Sequence, residues 1–410
     1  MTPQGSNLPE TLPRLLVIAS TYPRWRNDVE PGFVHELSKR LTNEFKVTVL
    51  CPHAKGAHAT EILDGVEVVR YRYAPAALEK LVNNGGIVTN LSRHPWMVLL
   101  VPGFLLGQMF TLIRLLRKQR PNFIHAHWVI PQGLTVTIAR LITRHQARFT
   151  ITSHGADLFA LRGLIFSRLK KLVFKHASSV TVVSQAMRDE TTVLGIPPDR
   201  VAIAPMGTDL NGRFTPDNAT LRSRTELLFV GRIVEKKGLQ DLIQALPIVL
   251  QKHPDTSLSI AGFGPEQEAC MHLADALGIS NKIRFLGAVQ QAELPNLYRR
   301  ATALIAPFLI AQSGDQEGLG LVMVEAIGCN CPVVTTQVPA VKEVFNGEWP
   351  PYVAIPRSPS SLAEQIIRLM NEPELAWQWT AAFRPQVLAK FDYISVAGQY
   401  ASIIKSGATT

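Results

Sequence analysis

The chain has 410 residues, 46% of them hydrophobic and 18% charged, which excludes a disordered protein and fits two domains of about 150 residues each. The net charge of +10 is uneven: residues 1–210 carry +11 and residues 211–410 carry −1. A basic face on the first half is therefore expected, with anionic lipid, nucleic acid or an anionic substrate as its partner classes.

The first residues, MTPQGSNLPETLPR, are polar and contain proline, unlike a secretory signal, so the expected location is the cytoplasm. Cys51, Cys270, Cys329 and Cys331 form neither a zinc pattern nor a redox pair and read as buried small hydrophobes. The first strand, RLLVIAST, runs into a loop holding Gly32, ahead of a helix that starts near Phe33. Glycine there lets a ligand approach the backbone. Apolar runs then alternate with helical stretches: KVTVLCP, VEVVRY, FIHAHW, RFTITSHG and SSVTVVS. Near-continuous apolar strands between helices predict a parallel sheet covered on both faces.

Residues 97–116 are about long enough to span a bilayer, but Pro102, Gly103, Gly107, Gln108 and Arg114 interrupt them. A second stretch, LRGLIFSRLKKLVFKHA, mixes apolar residues with Arg162, Arg168, Lys170, Lys171 and Lys175. Each reads as a domain helix with a solvated face, or as a basic amphipathic surface that lies on anionic lipid. His125 and His127 alternate onto one face of a strand, as structural or cleft-lining groups rather than metal ligands. His154 and Asp157 lie in ITSHGADLF, where a strand gives way to a turn.

A polar, turn-rich segment at 206–224 reads as a linker. The strand pattern then repeats: ELLFVG, SLSIAG, IRFLGA, ALIAPF, PVVTT and YVAI. Two doubly wound α/β domains leave a cleft between them, and ligands bind beyond the carboxyl ends of their strands. Two cations, Arg232 and Lys237 of GRIVEKKG, lie at such an end and suit phosphate oxygens. In DQEGLGLVMVEA, Glu317 and Glu325 bracket an apolar run, and a buried carboxylate needs a donor. The sequence contains no Asp-x-Asp, no GxGxxG after the first strand, no P-loop and no GxSxG, which argues against a metal clamp, a nicotinamide enzyme, an ATPase and a serine hydrolase.

These motifs, in this order, resemble the family-4 retaining glycosyltransferases of the GT-B fold, over nearly the whole chain. EGLGLVMVE is similar to that family's E-x7-E signature, GRIVEKKG to its GR-x4-KG, HGAD to its HG-x-D, and PGFV to its glycine loop. MGTDL resembles the hinge segment and FDYISVAGQYASII the last helix. The resemblance implies an acceptor-binding domain at 1–205, a nucleotide-sugar-binding domain at 206–390 and a helix at 391–410 that crosses back. It implies retaining, metal-independent transfer of a hexose from a nucleotide diphosphate-sugar to a glycan or lipid-linked acceptor, as in surface polysaccharide synthesis, with no cofactor and no nucleic acid. His154 and Glu317 would be catalytic. Gly32, Arg232, Lys237, Gly318, Leu319 and Glu325 would bind the donor, with sugar hydroxyls on Glu317 and ribose on Glu325. Asn330, Cys331 and the segment VPAVKEVF depart from the family pattern, although Glu343 is kept. Two other classes compete. A phosphorylase-like enzyme would need pyridoxal phosphate, and a non-enzymatic basic module would explain the charged half but not the two glutamates with Arg232 and Lys237.

Overall fold

The computed structural model describes residues 12–26, 28, 32–83, 86–159, 161, 163–217 and 219–407. The polar start at 1–11 and Arg162 lie outside these described residues.

Strands β1 (Arg14–Ile18), β2 (Lys46–Pro52), β3 (Thr60–Leu63), β4 (Val66–Tyr71), β5 (Phe123–His127), β6 (Arg148–Ser153), β7 (Ser179–Val182) and β8 (Val201–Ile203) form one sheet, ordered β3-β4-β2-β1-β5-β6-β7-β8. Its neighbours run parallel except β3 against β4. Strands β9 (Glu226–Val230), β10 (Ser257–Ala261), β11 (Ile283–Gly287), β12 (Ala303–Ala306), β13 (Val333–Thr336) and β14 (Val353–Ala354) form a second, all-parallel sheet, ordered β11-β10-β9-β12-β13-β14. The runs read as strands fall on twelve of these fourteen; β3 and β8, one amphipathic and one three residues long, carry too weak a pattern to be read. Val, Ile and Leu fill the strand interiors because helices cover both faces.

Each sheet reverses its direction of growth once, between β1 and β5 in the first and between β9 and β12 in the second. At such a switch point the flanking loops diverge and leave a crevice. Both crevices receive the residues singled out by sequence. The two halves are also tied from behind. Helix Tyr393–Ser406 returns to the first sheet, where Tyr400 Oη donates to the Ala204 carbonyl at 2.7 Å and Ser179 Oγ to the Ile403 carbonyl at 3.5 Å.

The apolar stretch at 97–116 lies within Pro95–Gln119, the one helical segment among the described residues long and apolar enough to cross a membrane. Phe104, Gln108, Leu112, Leu115 and Leu116 of helix Val101–Gln119 are buried under the first domain, and Leu99, Leu106 and Phe110 are exposed.

Candidate active site

In the second half, β9 ends at Val230 and the chain turns through Arg232 to Lys237. Gly238 holds this turn: its φ is 67°, and a Cβ there would sit 1.9 Å from the Pro307 carbonyl oxygen. Only glycine lets the loop after β9 press against the end of β12. Lys237 Nζ meets Glu317 at 2.8 Å and lies 4.7 Å from the centre of the Phe308 ring. Lys236 is held separately, on Asp315 at 3.1 Å and on the Gln316 carbonyl at 3.2 Å. Glu317 also accepts the Gly320 N–H at 3.2 Å. Burial alone would raise the Glu317 carboxyl, but the charges of Lys237 and Lys236 outweigh it and bring it down to about 2. Arg232 sits on the exposed rim of the same loop.

The helix after the Gly-Leu-Gly turn is Leu321–Gly328, so Glu325 stands one turn inside it. Its donor in this structure is Tyr298, whose hydroxyl lies 2.9 Å away. Burial raises the Glu325 carboxyl to about 7, although Tyr298, Arg213 and Lys237 pull the other way. No ribose is required to satisfy this carboxyl, and Tyr298 is a partner that sequence reasoning missed.

The first half supplies His154 just past the end of β6. Its ring stacks on His127 and stands 4.9 Å from Trp128 and 5.1 Å from Phe33. His127 Nδ1 is 2.9 Å from His154 Nε2, while His127 Nε2 is buried with no partner. A bare lone pair is less costly to bury than a bare N–H, so the network assigns the proton to His127 Nδ1 and makes it the donor. His154 then carries its own proton on Nδ1. A second chain runs behind it. Thr181 donates to the Ile151 carbonyl at 3.2 Å, Thr152 to Thr181 at 2.5 Å and His125 Nε2 to Thr152 at 2.7 Å. Burial holds His154 and His125 down to about 3, so both are neutral at physiological pH. Asp157 organises the turn, accepting the Val129 N–H at 2.6 Å and the Ser153 hydroxyl at 2.8 Å.

The two halves meet at these loops. A Cβ on Gly318 would lie 2.9 Å from the His154 carbonyl oxygen, so the Gly318 backbone packs directly on the histidine turn. Leu319 is buried beside it. Gly32, by contrast, caps helix Phe33–Leu41 with φ −90°, and the nearest atom to a Cβ would be Pro23 Cγ at 3.9 Å. Neither its conformation nor its surroundings demand glycine. His154, Lys237, Glu317 and Gly318 are thus brought together by two separate crevices.

The chain matches the family "Glycosyltransferase Family 4" over residues 33–211 and "Glycosyl transferases group 1" over residues 216–384. It belongs to the family-4 glycosyltransferases of the GT-B fold. A GDP-mannose-dependent alpha-(1-6)-phosphatidylinositol monomannoside mannosyltransferase of Mycobacterium tuberculosis is 26% identical over 408 residues, covering 96% of this chain and 98% of that protein. A glycogen synthase of the same organism is 29% identical over 299 residues, covering 70% of this chain and 69% of that one. Among solved structures, sucrose-phosphate synthase from Thermosynechococcus elongatus superposes with a TM-score of 0.75 at 18% identity, covering 96% and 98% of the two chains. HepE of Anabaena, in complex with UDP and glucose, gives 0.72 at 16% identity, covering 96% and 99%.

One residue of this glycosyltransferase reaches from the second domain to the first. Glu343, in the segment that departs from the family pattern, accepts the Gln185 backbone N–H across the domain boundary at 2.9 Å and pairs with Lys390 at 2.9 Å. It joins the domains instead of lining the Lys237–Glu317 pair. Its partner is an amide in the first domain, which no local sequence signal marks.

Proposed function

We propose that this glycosyltransferase moves a hexose, with retention at the anomeric carbon, from a nucleotide diphosphate-sugar to a glycan or lipid-linked acceptor in surface polysaccharide or glycoconjugate synthesis. The observation that carries this reading is the Lys237–Glu317 pair, 2.8 Å apart, whose loop packs through Gly318 on the His154 turn of the other domain. In this reading Lys237 and Arg232 take the negative charge that grows on the departing phosphate, with no metal ion required. Removing one such preorganised group typically costs about 3 kcal/mol, roughly a hundredfold in rate. Glu317 stays ionised and accepts hydroxyls of the donor sugar. Glu325 offers its buried carboxyl to the ribose, and neutral His154 offers its Nδ1 proton to the sugar from across the cleft. The reading uses no carboxylate pair of the glycosidase kind and no covalent glycosyl intermediate. The acceptor oxygen attacks from the face the nucleotide leaves, and the departing phosphate takes the acceptor's proton.

The reading extends to location: the enzyme works in the cytoplasm, peripherally on an anionic membrane face. Helix Pro95–Gln119 exposes Leu99, Leu106 and Phe110, helix Leu134–Thr143 exposes Leu141 and Ile142, and helix Leu164–His176 exposes Leu164 and Ile165. These helices pack in succession. From Lys80 to Arg188 the sequence holds fifteen Lys and Arg but one acid, Asp157, and that one is buried. Exposed apolar side chains in a stretch rich in cations and poor in acids suit lipid that is negatively charged.

The test is a panel of nucleotide sugars, scored by thermal shift and slow donor hydrolysis, with product anomeric configuration read by NMR. Lys237→Ala and Glu317→Ala should each abolish transfer while leaving the fold intact, and a chelator should leave the rate unchanged. Full activity in both variants would sink the assignment.

A further inference from the structure

At the amino-terminal ends of β5 and β6, opposite the cleft, lies a groove of about 750 Å3 lined by Arg117, Arg120, Arg144, Arg148 and His145. Among the described residues no acidic side chain lines it. Arg117, Arg120 and Arg144 make no ion pair with a carboxylate among the described residues, and Arg148 donates to the Lys405 carbonyl. Cations near a helix carboxyl end offset its dipole, and two helices, Val101–Gln119 and Leu134–Thr143, do end here. That explains one cation for each helix. It does not explain four arginines around one opening. Two of them also stand where arginine is disfavoured: Arg120 and Arg144 cap those helices with φ 46° and 52°, a left-handed conformation that suits glycine or asparagine. His145, beside them, is held below the usual imidazole range by burial and by the charges of Arg140 and Arg120.

The groove adjoins the apolar face. Thr143 and Arg144 follow directly on the exposed Leu141 and Ile142, and Arg117 lies two turns beyond Phe110. We propose that the groove binds the phosphate of an anionic lipid headgroup, seating the amino-terminal domain on the membrane while the acyl chains lie along Leu141 and Ile142. Guanidinium forks match phosphate oxygens bidentately, and exposed arginines that no carboxylate among the described residues opposes gain their counter-charge from the ligand. The proposal rests on the membrane reading above and adds a defined site to it.

Two variants separate the site from general charge. Arg117→Gln/Arg144→Asn removes two of the four arginines of the groove and suits the left-handed position of Arg144. Lys171→Gln/Lys175→Gln removes the same charge from helix Leu164–His176, outside the groove. Both are compared with the parent for co-sedimentation with phosphatidylcholine vesicles, with and without phosphatidylglycerol, and for calorimetric binding of soluble glycerol phosphate. Donor hydrolysis serves as the folding control and should be unchanged. The parent should bind phosphatidylglycerol vesicles and, weakly, glycerol phosphate. Each double variant should lose about thirtyfold in vesicle partition, the worth of two cations at an anionic surface. Only the groove variant should also lose glycerol phosphate. If the two variants behave alike on glycerol phosphate, the groove is not the site, and the membrane reading stands on vesicle binding by the parent. Glycerol phosphate bound without vesicle binding would make this a site for a free phosphate and overturn the lipid. If the parent binds neither, the groove and the membrane reading both fall, and catalysis is untouched.

Discussion

Replacing Glu325 with glutamine separates the charge of this residue from its shape. The side chain is buried, and burial raises its carboxyl from 4.5 to about 7 against the pull of Tyr298, Arg213 and Lys237. In the unfolded chain the same group titrates at its ordinary value. The folded state therefore holds this proton more tightly than the unfolded one, and stability falls as pH rises from about 4.5 to about 7. At 1.36 kcal/mol for each pKa unit, the loss from this single group approaches about 3 kcal/mol above pH 7. Glu325→Gln keeps an acceptor for the Tyr298 hydroxyl, now at 2.9 Å, and has no charge to bury. The variant should match the parent within about 1 kcal/mol at pH 5 and exceed it by about 3 kcal/mol at pH 8. For a domain of this size that is roughly 6–12 °C in melting temperature. Urea unfolding at the two pH values, followed by tryptophan fluorescence, gives the double difference, in which every other titrating group cancels. Parallel pH profiles for the two proteins would refute the reasoning, because the carboxyl would then be ionised at no cost.

Gly238→Ala should destabilise the second domain by at least about 2 kcal/mol, since the new Cβ meets a carbonyl oxygen and the backbone is left-handed; thermal unfolding measures it. Glu343→Gln loses the Lys390 pair, worth about 1 kcal/mol for a partly exposed bridge, and weakens the cap on Gln185, so solution scattering should show a more open unliganded enzyme. Superimposable scattering profiles would remove Glu343 from the domain contact. His127→Phe takes away the donor to His154 Nε2 and should lower kcat about tenfold to a hundredfold with little change in donor KM. His127→Asn, which can donate to the same atom, should recover part of the rate, and nitrogen chemical shifts of the His154 ring should report the change of tautomer.

The alternation of apolar runs and helical stretches made both sheets legible, because strands buried on two faces must be apolar throughout. Arg232, Lys237 and His154 were legible for a related reason, lying in the loops that follow strand ends, where such sheets bind ligands, and Glu317 because a carboxylate beside an apolar run needs a donor. The partners of these residues were not. Tyr298 reaches Glu325 from another helix, and His127 reaches His154 from the next strand. The second contact follows from register, since β5 pairs with β6 so that His127 faces Thr152, two residues short of His154. Register is a property of the assembled sheet and leaves no periodic trace in one strand. Gly32 shows the opposite case, a residue type that promised a special backbone and adopts an ordinary one. Glu343 was recognised from its motif, yet its hydrogen bonds depend on how the domains are set against each other.

Helix Tyr393–Ser406 bears on how this protein is made. Val396, Tyr400, Ile403 and Ile404 are buried, and they lie against β5, β6 and helix Phe33–Leu41. The amino-terminal domain leaves the ribosome first, but this part of its apolar surface is covered only by residues translated after the whole second domain. During synthesis the nascent chain carries an exposed hydrophobic strip for as long as the second domain takes to emerge. A chaperone has that interval in which to bind, and emergence of this helix from the ribosome is the event that completes the first domain.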